Sequence, residues 1–359
     1  MKYARVFLEA IGYELPPIVV TTAELEERLK PVYAALHIAE GQVEQLTGIV
    51  ERRWWHPGYR LSDGAIAAAR KALAQSSVTP AELDVLIYAG VCREGFEPAT
   101  ACRVAAHVGV SPAAAVYDVS NACLGMLNGI MDIANRIELG QIRAGLVVSC
   151  ETARDIVDIT IARLLHAQEM EAFKLGLATL TGGSGAAAVL LTDGSFGYGR
   201  RPRLLGGVTQ TAPEFHELCS WKADADATTP WGEIMLTDSV GVLQHGVALG
   251  LRTWQAFLAE MQSSPHPNPL PQGARDLWMV DKVICHQVGS AHRETILKTF
   301  GLPPEKDFAT HAYLGNIGTV SLPLTAALAA ERDFLLPGDR VGFLGIGSGL
   351  NCIMLGWEW

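Results

Sequence analysis

The sequence contains no CxxC pair, and its seven cysteines (Cys92, Cys102, Cys123, Cys150, Cys219, Cys285 and Cys352) are odd in number and scattered. That excludes a disulfide framework and a thiolate zinc site, and it suits a reducing compartment. His56, His107, His166, His216, His245 and His311 fall at no metal-ligand spacing. No apolar run is long enough to span a bilayer, and Met1 to Tyr13 lacks a signal-peptide pattern, so a cytoplasmic location is expected. Positive charge is in deficit. With 28 Lys and Arg against 38 Asp and Glu, the net charge is −10. This argues against a nucleic-acid surface and gives no general attraction to anionic membranes. Gly345 to Gly349 is rich in glycine but has no Lys-Ser/Thr after it, so it is not a phosphate loop. What the chain does have is 359 residues, 49% of them hydrophobic, with 36 glycines. That composition fits a compact α/β enzyme with many tight strand-to-helix turns, as two ordinary domains or one large one.

Two stretches share one order of elements. The first runs from a strand at Leu83–Gly90 through a helix at Ala99–Val108 and an apolar strand at Ala113–Val119. A turn, a helix through Ile130 and Ile137, and a strand at Ala144–Ser149 follow. The second runs from a strand at Val280–His286 through a helix at Ser290–Phe300 and a turn at Tyr313–Asn316. A helix through Pro323 and Ala327 and a strand at Asp339–Gly345 follow. Each ends in a glycine-rich strand, Gly182–Leu190 and Gly345–Cys352. Strands alternating with helices predict largely parallel, helix-covered sheets, and the repetition predicts two similar halves packed together. We place the halves at 1–195 and 196–359. The amphipathic helical segment Asp155–Leu180 reads as a cap over a pocket (153–180), a dimer surface or core helix. The proline-rich Ser263–Gly273 reads as an inserted, exposed connection.

Cys123 lies where a buried strand turns into a helix, in Asp118-Val119-Ser120-Asn121-Ala122-Cys123-Leu124-Gly125. At a first helical turn the dipole and free N–H groups favour thiolate, the form that attacks carbonyls. A cysteine between Ala122 and Leu124 also fits a small core residue. The repetition adds a geometric expectation. Asn316 occupies the matching helix start of the second half, and His286 ends the strand before it. Ligands gather at the carboxyl ends of parallel strands, so Cys123, His286 and Asn316 are expected to face one another. A Cys–His pair supplies nucleophile and base, and an Asn supplies a fixed N–H donor.

These residues carry a family likeness. The run Thr47-Gly48-Ile49-Val50-Glu51-Arg52-Arg53, Asp118 to Gly129, Cys285-His286-Gln287, Gly315 to Pro323 and the terminal Gly347-Ser348-Gly349 stand in family order across nearly the whole chain. The chain resembles a thiolase-superfamily condensing enzyme of the ketoacyl-ACP synthase III group. Phe96 to Ala101, Glu151-Thr152 and Gly345 to Cys352 make it most similar to the OleA-type branch, which joins two long-chain acyl-CoA molecules head to head. The resemblance implies a thiolase fold of two βαβαβαββ-type halves in five α-β-α-β-α layers, a homodimer, fatty acyl-CoA or acyl-ACP substrates, and no cofactor or metal. It implies that Cys123 takes the first acyl group, with the backbone N–H groups of Cys123 and Gly349 as oxyanion hole. His286 and Asn316 would polarise the second thioester. Glu97 would enter the partner's site as the base, although on its own a glutamate before Pro98 reads more readily as a surface loop residue.

The departures are specific. Gln42 and Leu46 stand where acetyl-CoA-using relatives have the Trp and Arg that hold the CoA adenine, and Gly289 replaces an asparagine that meets the pantetheine arm. Arg52, Arg53 and Arg252 remain as candidate phosphate contacts. A base is needed where an α-proton must be removed, but not where decarboxylation makes the carbanion. The expected reaction is therefore a non-decarboxylative Claisen condensation of two fatty acyl thioesters through an acyl-Cys123 intermediate. A decarboxylating 3-oxoacyl-ACP synthase III and a pyrone- or resorcinol-forming ketosynthase are the alternatives. Trp54, Trp55, Trp357 and Trp359 read as packing.

Overall fold

The structure, a computed structural model, describes residues 1–197, 199–224, 232–262 and 280–359. The proline-rich Ser263–Gly273 lies outside them. The first half supplies β1 (Phe7–Glu14), β2 (Ile18–Thr21), α1 (Thr22–Leu36), α2 (Gln42–Thr47), β3 (Glu51–Trp54) and α3 (Leu61–Ala74). It continues with β4 (Val85–Ala89), α4 (Thr100–Val108), β5 (Ala115–Val119), α5 (Gly125–Glu138) and β6 (Ala144–Glu151). Then come α6 (Arg154–Ala167), α7 (Met170–Gly176) and β7 (Gly185–Thr192). The second half supplies β8 (Arg203–Thr211), β9 (Cys219–Ala223), β10 (Glu233–Thr237), α8 (Ser239–Gln262) and β11 (Lys282–Cys285). It ends with α9 (Ser290–Phe300), α10 (His311–Leu314), α11 (Ser321–Glu331), β12 (Arg340–Gly347) and β13 (Asn351–Glu358).

Nine strands form one mixed sheet in the order β11-β12-β13-β8-β1-β7-β6-β4-β5. Read outward from the centre, β1-β7-β6-β4-β5 and β8-β13-β12-β11 repeat one plan, and the two arms meet where Phe7 pairs with Arg203. The pattern of apolar residues explains the layering. In β4, Val85, Ile87 and Ala89 pack into one core while Leu86 and Tyr88 pack into another, the period-two alternation of a strand covered on both faces. The first core takes α5 (Met126, Leu127, Ile130, Ile133) and α11 (Leu322, Leu324, Leu328) between the two arms of the sheet. Every residue of α11 from Ser321 to Ala329 is buried, as expected of a helix that is apolar all round. Helices α3 and α4 cover the outer face of the first arm, and α8 and α9 that of the second. The result is helix, sheet, helix, sheet, helix: the five-layered thiolase arrangement.

Outside these layers, α1, α6 and α7 pack together around Leu25, Val157, Ile161 and Phe173. The hairpin β9–β10, which the sequence reading did not anticipate, lies beside α6 and α7. No described helix is long and apolar enough to cross a membrane.

Candidate active site

Strand β5 delivers the chain to a tight turn. Asp118, near its end, accepts the Thr100 and Ala101 N–H groups at 2.8 and 2.9 Å, which ties the start of α4 to this strand. Ala122 then adopts a left-handed φ of 44°, rare and strained for a residue with a Cβ, and Leu124 N–H bonds back to Asn121 O at 2.8 Å. The strained turn sets Cys123 against a cavity of about 260 Å³, two residues ahead of α5. The expected thiolate is not favoured there. Burial, with Cys219 and the Glu151 carboxylate adding to it, pushes the Cys123 thiol up to about 12. A helix dipole supplies about 1 kcal/mol at most sites, less than such enclosure takes away.

Asn316 stands on the same cavity wall. Its position depends on two backbones touching. Asn316 N–H bonds to Thr181 O, and Gly183 N–H bonds to Asn316 O, each at 2.9 Å. A Cβ on Gly183 would lie 2.0 Å from Leu314 O, and one on Gly315 2.5 Å from Thr181 O. Asn316 Oδ1 accepts the Gly318 N–H at 3.1 Å. Its amide nitrogen is thereby left as the free donor.

His286 follows β11 and is buried, its N–H bonded to Leu344 O at 3.0 Å and its Nδ1 2.6 Å from Ser321 Oγ. That contact leaves Nε2 for other work. Burial, reinforced by neighbouring His292, pulls its pKa down to about 3, so the ring is neutral near pH 7. His286 lines a second, smaller cavity of about 20 Å³ together with His292, and it is not on the wall of the Cys123 cavity. Ser348 reaches that wall, whereas its neighbour Gly349 does not. Gly349 has a φ of 133°, where a Cβ would meet Asn351 Nδ2 at 2.5 Å, so only glycine fits. Glu97 sits on an exposed loop beside the fully exposed Phe96, and does not reach the Cys123 cavity of its own chain.

Several wall residues went unread in the sequence. Cys219, Trp221 and Met235 come from the β9–β10 hairpin, whose alternating pattern was the available signal. Glu151, a carboxylate closing the apolar strand β6, was noted only as part of the likeness. Ser321 gave no signal distinct from any helix-start serine. Arg52 is a correction. It is no phosphate contact but is fully buried, donating to Thr22 Oγ1 at 2.9 Å and Leu180 O at 3.2 Å, with burial lowering its pKa to about 10. Arg53 donates to Pro16 O at 3.1 Å, and Arg252 is exposed. Leu46 is exposed on α2, and Gln42 bonds Gln45 at 2.9 Å. A Cβ on Gly289 would come within 2.9 Å of Thr47 O, so no side chain fits there. Trp54, Trp55 and Trp357 are buried packing as read, and Trp359 is half-buried.

Two like halves meeting over a cavity, with a half-buried thiol on one turn and an aimed amide on the other, define a condensing enzyme of the thiolase superfamily. Known proteins narrow this. Residues 276–359 match the C-terminal family of 3-oxoacyl-[acyl-carrier-protein] synthase III. The chain is 54% identical to the acyl-CoA:acyl-CoA alkyltransferase of Shewanella oneidensis over 100% of both chains. It superposes on cerulenin-bound Xanthomonas campestris OleA with a TM-score of 0.90 at 33% identity, covering 100% of this chain and 98% of the other. A variant of that OleA with bound lauric acid and lauroyl-CoA matches at a TM-score of 0.87 and 33% identity, covering 99% and 100%. The chain belongs to the acyl-CoA:acyl-CoA alkyltransferase (OleA) family.

Proposed function

We propose that the protein condenses two fatty acyl thioesters head to head without decarboxylation. The observation that carries this reading is the pairing of Cys123 with the free Asn316 amide on one cavity of about 260 Å³ whose further wall is apolar, including Ile156, Trp221 and Met235. A half-buried thiol beside an apolar wall suits an acyl chain. The lauroyl-CoA bound by the Xanthomonas relative supports acyl-CoA as the carrier form.

In the first step the Cys123 sulfur attacks an acyl thioester carbonyl. The carrier thiol leaves with the proton that Cys123 gives up, which removes the need for a stable thiolate at rest. The backbone N–H groups of Cys123 and Gly349 are the proposed donors to the transient oxyanion. In the second step a carboxylate removes an α-proton from another acyl thioester. Asn316 donates to its carbonyl oxygen as the enolate forms, and the family likeness gives neutral His286 as a second donor, reaching that oxygen from behind the cavity wall. We assign Ser321 O–H as the donor to Nδ1, which places the donating hydrogen of His286 on Nε2. The carbanion attacks acyl-Cys123, the tetrahedral adduct collapses to a β-keto acyl thioester, and the departing Cys123 sulfur takes back the proton held by the carboxylate.

That carboxylate is assigned to Glu97 of a second copy. Two features support a homodimer. Strand β5 ends the sheet with one edge unpaired and all five residues half-exposed, and Phe96 beside Glu97 projects wholly into solvent. The test is incubation with two acyl-CoAs of different length. A β-keto acyl thioester, the β-keto acid that its hydrolysis releases, or the ketone formed when that acid loses carbon dioxide, is the expected product. Free CoA with no condensed product would overturn the reading and indicate a thioesterase.

A further inference from the structure

Glu151, at the end of β6, is a carboxylate enclosed in protein with no cation to balance it among the described residues. It lines the Cys123 cavity, and burial raises its pKa. The ionisable groups around it, Tyr88, Cys92, Cys123 and Cys150, are all acids. A buried charge in such company is costly and must be offset by the hydrogen bonds it accepts. Its oxygens take the Val91 N–H at 3.0 Å and the Cys92 N–H at 3.1 Å, together with the Thr319 N–H. Thr319 Oγ1 in turn accepts the Met126 N–H at 2.8 Å, in the first turn of α5. One side chain thus fastens three segments. Val91 and Cys92 begin the loop that carries Glu97, Thr319 lies just past Asn316, and Met126 lies just past Cys123. No step described above uses Glu151.

We propose that Glu151 is a positioning residue of the condensation step, holding the loop of Glu97 and the turn of Asn316 in register with Cys123 through a negative charge placed on the cavity wall. This rests on the roles given above to Cys123, Asn316 and Glu97. The ionisable groups that face Cys123 are Cys219 from β9 and Glu151 from β6, so the charge also has a local readout. Removing it leaves Cys123 easier to deprotonate.

The test uses the full-length protein with Glu151→Gln and Glu151→Asp. For Glu151→Gln, acyl loading of Cys123 (intact mass after mixing with acyl-CoA) stays within about threefold, whereas condensed product falls by at least about tenfold through misplacement of the second-step groups. The pH midpoint for alkylation of Cys123 by iodoacetamide moves down by about one unit. Glu151→Asp keeps the charge and shortens the reach, so its alkylation midpoint stays at the wild-type value while condensation still falls. An unchanged midpoint in Glu151→Gln, or loading and condensation falling together in both variants, overturns the proposal. Absence of condensed product from the wild-type enzyme sinks the condensing reading instead, and the alkylation midpoint alone then decides for or against the charge of Glu151 on the cavity wall.

Discussion

The two halves reach their matching turns by different means. In the first, β5 pairs with β4 over five residues, Val85 with Ala115 through Ala89 with Val119, and the chain then turns at Cys123. In the second, the corresponding strand is reduced to one bridge, Val283 with Asp307. A side chain takes over the missing pairing. Buried Gln287 accepts the Thr310 and His311 N–H groups at 2.8 and 3.1 Å and donates to Cys285 O at 2.6 Å. The nucleophile therefore rests on a regular ladder with an open outer edge, and the amide donor rests on a side-chain splint. The half with a full strand keeps an edge that a second copy can join. The half without one spends that edge on bringing Asn316 and His286 inward.

Removing the residue at each turn separates their tasks. Cys123→Ala abolishes the acyl adduct seen by intact mass and lowers condensation by at least about 10³-fold. Asn316→Ala leaves the adduct in place but lowers condensation by roughly 10²- to 10³-fold, the effect of losing one oxyanion donor. An Asn316→Ala enzyme that no longer loads acyl groups would show that the two turns share one task. Gln287→Ala tests the splint. Leaving its buried backbone partners unpaired costs about 2–3 kcal/mol, read as a lower melting temperature. A melting temperature equal to wild type would mean that the second half holds its turn without it.

The last effect is one of pH, spread over several units. The unfolded His286 takes up a proton near pH 6.5, whereas the folded one resists until about 3. Stability from this group is thus complete above about pH 6.5 and is lost as pH falls toward 3. His286→Asn should remove about one proton's worth of that acid slope, roughly 1.4 kcal/mol per pH unit, in denaturant titrations between pH 4 and 6. His292, drawn down to about 4 by burial, leaves a residual slope. A slope identical to wild type would show that His286 is not buried neutral.

Much of this is legible in the sequence. Helix Ser290–Phe300 falls where its pattern places it, because an N-terminal glycine and a C-terminal Gly301 mark its ends locally. The turns at Cys123, between β5 and α5, and at Asn316, between α10 and α11, were legible for the same reason, since small residues and glycine ahead of a helix are a local signal. Arg52 and Glu151 were not. A charged residue reads as exposed until something distant encloses it: Leu180 and Thr22 for Arg52, the Val91 loop and Thr319 for Glu151. The protonation state of Cys123 was misread in the same way, because the helix start is local and the enclosing wall is not.

Short-range order, apolar period and turn chemistry within a dozen residues determined the strands, the helices, the repeated plan and the turn that carries Cys123. Only the tertiary structure decided which groups share a cavity, which charges are buried, and which nitrogen of Asn316 is left free. Those depend on surfaces brought together across the chain, where desolvation and hydrogen-bond satisfaction outweigh any residue's intrinsic preference.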